Sequence, residues 1–235
     1  MNRKYILRLF IGCAAIGFLS CDNDLDVDPR DSQSSNDFLI ADNAIQLVNG
    51  VYNRMLDYDM YSFSWIGMTS ITSDDADKGS TISDTGADKH KMDALTFEAS
   101  DVSFNDVWKA RYSGIYRANT ALYYIDQLAV EESLKNRLIG EVKFLRALWY
   151  FDLVRCFGGV PVVVERIDDP NNTDYINQLV FVRKSKQEVY AQIEADLNDA
   201  ISKLPLKSQY SANDMGRATK GAAQALLAKA YLYQE

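Results

Sequence analysis

The sequence predicts an all-α fold of stacked helical hairpins with long loop insertions. Five segments repeat apolar residues three or four positions apart, which is the spacing of one buried helix face. Only one short apolar run, 160–164, is typical of extended chain instead. The composition is that of a globular chain with a full core, because 47% of the 235 residues are hydrophobic and 25% are charged.

The first predicted helix begins at Asp42, a residue type that favours the N-cap position. Its apolar face consists of Ala44, Leu47, Val48, Val51, Tyr52 and Met55. The second and third helices are predicted over Ser103–Leu128 and Leu134–Phe157. The third carries apolar residues almost all round, so we expect it at the centre of the fold. Gly158 and Gly159 end it, because glycine adopts the left-handed backbone that closes a helix.

The last two predicted helices have clear start signals. Ser185 and Glu188 have the spacing of a capping box, and the helix that they open ends before Pro205. Thr219 can cap the final helix, which stays apolar almost up to Glu235. We therefore expect the helical domain, residues 37–235, to be incomplete at its C-terminal end.

Two helices share a pattern in which small residues stand among aromatic ones, in Arg146–Tyr150 and Lys229–Tyr233. This pattern resembles tetratricopeptide repeats, in which helical hairpins stack side by side. The two copies are not separated by a multiple of the usual ~34 residues, which insertions between the helices would explain. Chance similarity between two buried helices is the alternative.

Residues 1–20 have the features of a secretory signal peptide. Three basic residues precede an uncharged apolar run, 9–19, which is shorter than the ~20 residues that cross a bilayer. Ser20 directly before Cys21 resembles a bacterial lipobox, in which the cysteine is acylated after cleavage. An ordinary secretory leader that happens to precede a cysteine is the alternative. Residues 21–36, rich in Asp, Ser and Asn, are then a flexible tether.

The charge of the chain excludes one class of partner. The net charge is −8, and removal of a leader that holds three of the 25 basic residues leaves 22 basic against 33 acidic residues. Such an acidic surface repels phosphate backbones, so we expect no nucleic-acid partner. Of the three cysteines, only Cys156 would remain as a free thiol in the acylated protein, so we expect no disulfide framework.

Catalytic and metal-binding patterns are weak in this sequence. His90 is the only histidine, which excludes a histidine-rich metal site and leaves any catalytic triad dependent on one loop residue. Asp74, Asp75 and Asp77 form a short acidic run, but it lacks the ligand spacing of an EF-hand. We expect a solvated turn without a cofactor, and a structural calcium ion is the alternative. The chain is predicted not to be an enzyme.

The segment Asp57–Ser100 has no sustained helical period and is predicted to be one long loop. Loops of this length in compact domains are usually functional. Its N-terminal part contains four aromatic residues, Tyr58, Tyr61, Phe63 and Trp65. Sugars bind to exposed aromatic faces beside carboxylate or amide acceptors. The predicted ligand-binding residues are Trp65, Tyr61, Asp74, Asp75 and Asp77, and packing of Trp65 onto the helices is the alternative.

Four stretches of the chain, in order and together with the lipoprotein leader, resemble the SusD/RagB family of outer-membrane nutrient-binding lipoproteins. They are WKARYSGIYRAN from Trp108, GEVKFLRALWYFDLVRCFGGVPVVV from Gly140, VYAQIEADLNDAISKLP from Val189 and GRATKGAAQALLAKAYLY from Gly216. Trp108 and Trp149 lie inside these stretches and are expected in the core. The resemblance implies a truncated SusD-like fold, because family members continue beyond this chain into a region that contributes to the binding face.

The resemblance also implies a lipid-anchored outer-membrane protein that faces the cell exterior. Members of the family capture a nutrient, typically a glycan, and deliver it to a SusC-like TonB-dependent transporter. The expected partners are therefore an oligosaccharide, the transporter and, through Cys21, the membrane. Two alternatives are a lipid-anchored tetratricopeptide scaffold for protein contacts and an uptake lipoprotein that binds peptides.

Overall fold

The computed structural model describes residues 41–81, 83–167, 177 and 182–234. The predicted signal peptide, Cys21 and the predicted tether lie outside these residues. Within them every regular element is helical and no β-strand occurs, so the predicted all-α class is confirmed. None of the described helices is long and apolar enough to cross a membrane.

Eight α-helices follow one another along the described chain. They are α1 (Ala41–Asn53), α2 (Tyr58–Tyr61), α3 (Phe63–Ile66), α4 (Ala87–Asp93), α5 (Val102–Gln127), α6 (Glu132–Phe157), α7 (Lys186–Lys203) and α8 (Lys220–Leu232). Short 3₁₀ turns cover Arg54–Leu56, Lys207–Gln209 and Ala212–Asp214, and a π turn covers Gly67–Ile71. The five segments predicted to be helical correspond to α1 and to α5 through α8.

The helix ends follow the sequence signals in three of four cases. The Ser185 hydroxyl accepts a bond from the Glu188 N–H at 3.2 Å, and the Glu188 carboxylate accepts one from the Ser185 N–H at 2.8 Å. Thr219 caps α8 in the same way through its hydroxyl. Gly158 follows α6 with φ of 73° and ψ of −133°, which is not the left-handed helical conformation expected but still a positive φ that favours glycine. Asp42 does not occupy the predicted N-cap position, because α1 begins one residue earlier.

The segment predicted as one long loop is only partly irregular. The segment Asp57–Ser100 contains four short helical elements, which are α2, α3, the π turn and α4. Each contains between four and seven residues, which is two helical turns or fewer, so no period is visible in the sequence. α2, α3 and α4 pack against α5, and this fixed layer positions the aromatic residues of the segment.

The centre of the described fold is α6. Both α5 and α7 pack against it, α8 packs against α7, and α1 packs against α5 and α6. The buried side chains of α6 include Leu138, Val142, Leu145, Trp149 and Leu153. Gly114 lets α5 come close, because a Cβ atom there would lie 2.8 Å from the Trp149 ring. Helices that are neighbours in sequence thus lie side by side, as in stacked helical hairpins.

The two tryptophans expected in the core differ. Trp149 is fully buried, whereas Trp108 is half-buried and lies over Tyr112 and Phe157 at the edge of α5. The extended run 160–164 forms no strand with any described segment. Instead Val163 exchanges two hydrogen bonds, of 2.7 and 2.8 Å, with the Tyr150 hydroxyl of α6.

Candidate ligand-binding site

Tyr61 and Trp65 contact one buried cation. Arg111 of α5 is fully buried, and its guanidinium carbon lies 4.7 Å from the Tyr61 ring centre and 4.1 Å from the Trp65 ring centre. The two rings meet edge to face, 5.8 Å apart. A cation over an aromatic face is attracted by the electron-rich ring, so these contacts help to hold both rings on α5.

Asp152 of α6 balances the charge of Arg111. Its Oδ2 atom accepts a bond from Arg111 Nη2 at 3.2 Å and another from the Tyr61 hydroxyl at 3.0 Å. Burial raises the pKa of Tyr61, and the nearby Asp152 carboxylate raises it further. The hydroxyl therefore stays protonated and remains committed to Asp152 as a donor.

The position of Trp65 has features of both roles considered from the sequence, which are ligand binding and packing onto the helices. Its ring is half-buried and packs on Arg111, which is the contact of a residue that fixes the segment to the helices. Part of the side chain is still exposed. Its role in ligand binding stays a prediction.

The three predicted aspartates lie in the turn that follows the π turn. Asp74, Asp75 and Asp77 are all exposed, and the Asp75 N–H donates to the Ser73 hydroxyl at 3.2 Å. In the part of the chain that the structure describes, no hydrogen bond joins these carboxylates to Tyr61. Among the same residues, no group of three or more histidine, cysteine or acidic side chains could hold a metal ion. The structure thus brings Tyr61 and Trp65 together, and their link to the aspartates stays a prediction.

The most exposed aromatic pair in this segment is Tyr58 with Phe63. The two rings are stacked with centres 6.0 Å apart and an angle of 29° between their planes. Tyr58 is 62% exposed and Phe63 is 37% exposed, so this pair offers more accessible aromatic surface than Tyr61 and Trp65. The sequence shows that both residues are aromatic, but only the structure shows that they are more exposed than the neighbouring Tyr61 and Trp65.

Phe63 packs against α4 and the turn that precedes α4. Lys89 Nζ lies 4.1 Å from the Phe63 ring centre, and this buried ammonium pairs with Asp88 at 3.2 Å. Gly86 packs against the ring edge with φ of +83°, and a Cβ atom there would lie 2.8 Å from Phe63 Cε1. The position therefore requires glycine both for its left-handed backbone and for the close approach.

The stacked pair belongs to a stretch of chain with many exposed apolar side chains. Between residues 56 and 102 the structure exposes Leu56, Tyr58, Phe63, Ile66, Leu95, Phe97 and Val102. A contiguous apolar patch commonly marks a surface that contacts a ligand or a partner, and within this set the structure shows contact between the stacked rings of Tyr58 and Phe63. We refer to these seven side chains as the aromatic surface.

Two potentially reactive side chains, Cys156 and His90, are both half-buried. Cys156 is a free, half-buried thiol whose pKa is raised by burial, which disfavours the thiolate. His90 lies in α4 and is half-buried, not in a solvated loop as the sequence suggested. The raised pKa makes the Cys156 thiol of α6 a poor nucleophile.

Comparison with known proteins gives consistent matches. A family model described as SusD-like, "Starch-binding associating with outer membrane", matches residues 24–232. The chain is 29% identical to a SusD-like protein of Bacteroides ovatus over 232 residues, which cover 95% of this chain and 38% of the relative. It is 27% identical to SusD-like protein P25 of Formosa agariphila over 224 residues, which cover 92% and 41%. The chain thus spans about two fifths of the length of these curated relatives.

Two solved structures share the fold. A SusD-like protein of Bacteroides fragilis superimposes with a TM-score of 0.70 and 30% identity, covering 86% of this chain and 36% of that one. A laminarin-binding SusD-like protein superimposes with a TM-score of 0.68 and 33% identity, covering 82% and 40%. The helical arrangement described above is therefore the one found in these proteins.

Proposed function

Because the chain belongs to the SusD-like family of outer-membrane-associated proteins, we propose that it binds an oligosaccharide at the cell surface and delivers it to a SusC-like TonB-dependent transporter. The observation that carries the proposal is the exposed, stacked pair of Tyr58 and Phe63 on a fixed layer of short helices. The laminarin-binding relative supports a glycan as the ligand class.

A stacked aromatic pair fits the chemistry of a sugar. The C–H face of a sugar ring is apolar and packs on an aromatic ring, while its hydroxyl groups need polar partners at the edge. Trp65 lies in α3 with Phe63 and adds a second partly exposed ring nearby in sequence. We include Trp65, Tyr61, Asp74, Asp75 and Asp77 in the proposed site as residues still to be tested.

An affinity-gel and calorimetry screen with laminarin, starch and other polysaccharides tests the proposal. We expect saturable binding to at least one polysaccharide, and weaker binding for Tyr58→Ala, Phe63→Ala and Trp65→Ala. Tyr231→Ala is the matched control, because this tyrosine of α8 is also exposed but lies outside the aromatic surface. Thermal unfolding of each variant separates lost contact from lost fold. Absence of binding to every polysaccharide contradicts the proposal.

The proposal needs no cofactor. Calcium held by the acidic run is the alternative, and calorimetry in EGTA distinguishes the two. Binding that is unchanged by EGTA but weakened by Asp74→Asn supports a metal-free site with Asp74 as a direct contact, whereas binding lost in both supports calcium.

A tetratricopeptide scaffold would use a groove suited to protein side chains. One groove of the described residues lies between α5, α6 and α7 and has a volume of ≈ 900 Å³. Its lining includes the ion pair of Lys143 with Asp199, the neighbouring Lys203, two glutamines and the half-exposed Tyr123. The same lining contains Leu122, Ile139 and Val164, so the groove offers partners both to a hydroxyl-rich ligand and to a protein segment.

The partner proposal concerns the helical hairpins themselves. Stacked hairpins offer broad lateral surfaces for protein contacts, and the family resemblance implies that this half contacts the transporter. Purification of the tagged protein from membranes should recover a TonB-dependent transporter. Recovery of other proteins alone would favour the scaffold alternative.

A further inference from the structure

A second aromatic groove lies away from the aromatic surface. It has a volume of ≈ 310 Å³, at the lower end of the range for small-ligand sites, and lies between α5 and the segment that follows Pro161. Its apolar lining consists of Trp108, Tyr112, Ile115, Tyr116, Val163 and Ile167. None of the seven side chains of the aromatic surface contributes to this lining.

The helix spaces its aromatic rings regularly along this groove. Trp108, Tyr112 and Tyr116 are each four residues apart, which places them on one helix face about 6 Å apart along the axis. The Trp108 and Tyr112 ring centres are 5.0 Å apart, and Tyr116 is 51% exposed. A ring-shaped ligand in the groove can therefore contact more than one aromatic side chain.

Hydrogen bonds hold both walls in place. The Tyr112 hydroxyl donates to the Pro161 carbonyl at 2.7 Å. The Asn119 side-chain amide donates to the carbonyl groups of Val163 at 2.9 Å and Glu165 at 3.1 Å. Trp108 also packs edge to face on Phe157, 5.2 Å between ring centres. The groove is formed before any ligand arrives, which lowers the entropic cost of binding.

Polar groups stand at the rim of this apolar groove. Lys109 and Glu165 are exposed and belong to its lining, and Tyr116 adds a phenolic hydroxyl. Aromatic faces with an ammonium donor and a carboxylate acceptor at the rim match a ring that is apolar on its face and hydroxylated at its edge. We propose that the groove binds one sugar ring, as a second carbohydrate contact distinct from the aromatic surface.

This inference rests on the proposed function, since it takes the ligand to be a glycan. Its consequence is bivalent binding, because a polysaccharide long enough to reach both contacts would gain avidity without any new interaction. A short oligosaccharide would instead occupy the two contacts independently.

Saturation-transfer NMR with maltotriose and laminaritriose tests the groove in the full protein carrying Tyr58→Ala and Phe63→Ala. We expect sugar signals to remain in this variant, and Tyr116→Ala to weaken the remaining binding roughly three- to ten-fold, the range for one aromatic contact. Tyr231→Ala is the matched control, because Tyr231 is a similarly exposed helical tyrosine, at 48% against 51% for Tyr116, and does not line the groove. Tyr116→Phe keeps the ring and should retain most of the binding.

The outcomes separate the two proposals. If the unmutated protein binds a glycan but the Tyr58→Ala, Phe63→Ala protein gives no signal, the groove inference fails and the proposed function stands. Remaining binding of the same affinity with and without Tyr116→Ala also overturns the groove inference. Binding of 4-nitrophenol in place of both sugars would make the groove an apolar pocket. Absence of glycan binding in the unmutated protein overturns both proposals.

Discussion

The buried cation Arg146 is matched by acceptors on three sides. Arg146 of α6 donates to Asp196 of α7 through Nε at 2.8 Å and Nη2 at 2.7 Å. Its Nη1 atom donates to the Asn119 side chain at 2.7 Å and to the Val164 carbonyl at 3.0 Å. A buried charge without such partners is strongly unfavourable, so this residue joins α5, α6 and α7 at one point.

Replacing Arg146 should therefore be costly. We expect Arg146→Met to lower the free energy of unfolding by about 3–5 kcal/mol, because it leaves the buried Asp196 carboxylate unpaired. Lys143→Met is the control, since its pair with Asp199 at 2.7 Å is partly exposed and should contribute about 1 kcal/mol or less. Urea unfolding measures both. Equal losses in the two variants would contradict the assigned role of Arg146.

Gly86 offers a test of how Phe63 is positioned. Gly86→Ala should destabilise the fold by about 1–2 kcal/mol through its left-handed backbone, with a further loss from the clash with Phe63. Gly216 also has a positive φ, of +99°, but no atom lies within 4 Å of a Cβ placed there. Gly216→Ala therefore reports backbone strain alone.

The affinity for a glycan distinguishes these two glycine variants. Calorimetry should show weaker glycan binding in Gly86→Ala and unchanged binding in Gly216→Ala. Equal binding in both would mean that the position of Phe63 is not important for the ligand.

The sequence indicated aromatic residues of one segment as candidates for the site but not the residues that they contact. Trp65 and Tyr61 are aromatic residues of a segment whose sequence has no helical period. Arg111, which both rings contact, lies more than 40 residues further along the chain, so no local pattern could indicate that contact. The exposure of Phe63 likewise depends on Gly86 and Lys89, which only the tertiary structure brings to the ring.

At the scale of elements, the long helices were predictable and the short ones were not. The predicted bounds of α5 and α6 agree with the structure to within two residues, because an apolar face repeated over seven turns leaves little choice. The helices α2 and α3 contain four residues each, so their sequence carries no period and packing on α5 decides their form. The proposed site therefore lies in the part of the chain whose secondary structure was hardest to predict.

The capping box of α7 predicts a pH dependence. Hydrogen bonds from the backbone and hydroxyl of Ser185 lower the pKa of Glu188. A carboxyl group with a lowered pKa in the folded state stabilises the fold above its unfolded pKa of about 4.3, and the contribution is lost as pH falls through the folded pKa. We therefore expect Glu188→Gln to be less stable than the unmutated protein at pH 6, with the difference shrinking towards pH 3.

Urea unfolding at several pH values measures this difference. Glu194→Gln is the control, because Glu194 lies in the middle of the same helix and takes no part in the cap. A stability difference for Glu188→Gln that is constant from pH 6 to pH 3 would rule out the cap carboxylate as its source.

At the scale of the whole molecule, α5 supports both proposed sugar contacts. One side of this helix carries Arg111, which holds the segment with the aromatic surface. The face with Trp108 and Tyr116 forms the second groove. Contacts mounted on one long, packed helix keep a fixed spacing, which a flexible pair of loops would not provide. A polysaccharide that reaches both would therefore meet two contacts with a constant separation.

We propose that the protein is attached to the membrane through Cys21, which lies outside the described part of the chain. We expect Cys21→Ala to abolish incorporation of radiolabelled palmitate and to release the protein from carbonate-washed membranes. Each buried methylene contributes about 0.8 kcal/mol, so two or more acyl chains hold a protein durably while one holds it only marginally. Cys156→Ser is the matched control, because this half-buried thiol of α6 is not a lipidation site in the proposal. Cys21→Ala protein that stays with the membranes would show that the leader acts as an ordinary secretory signal and that another contact provides the attachment.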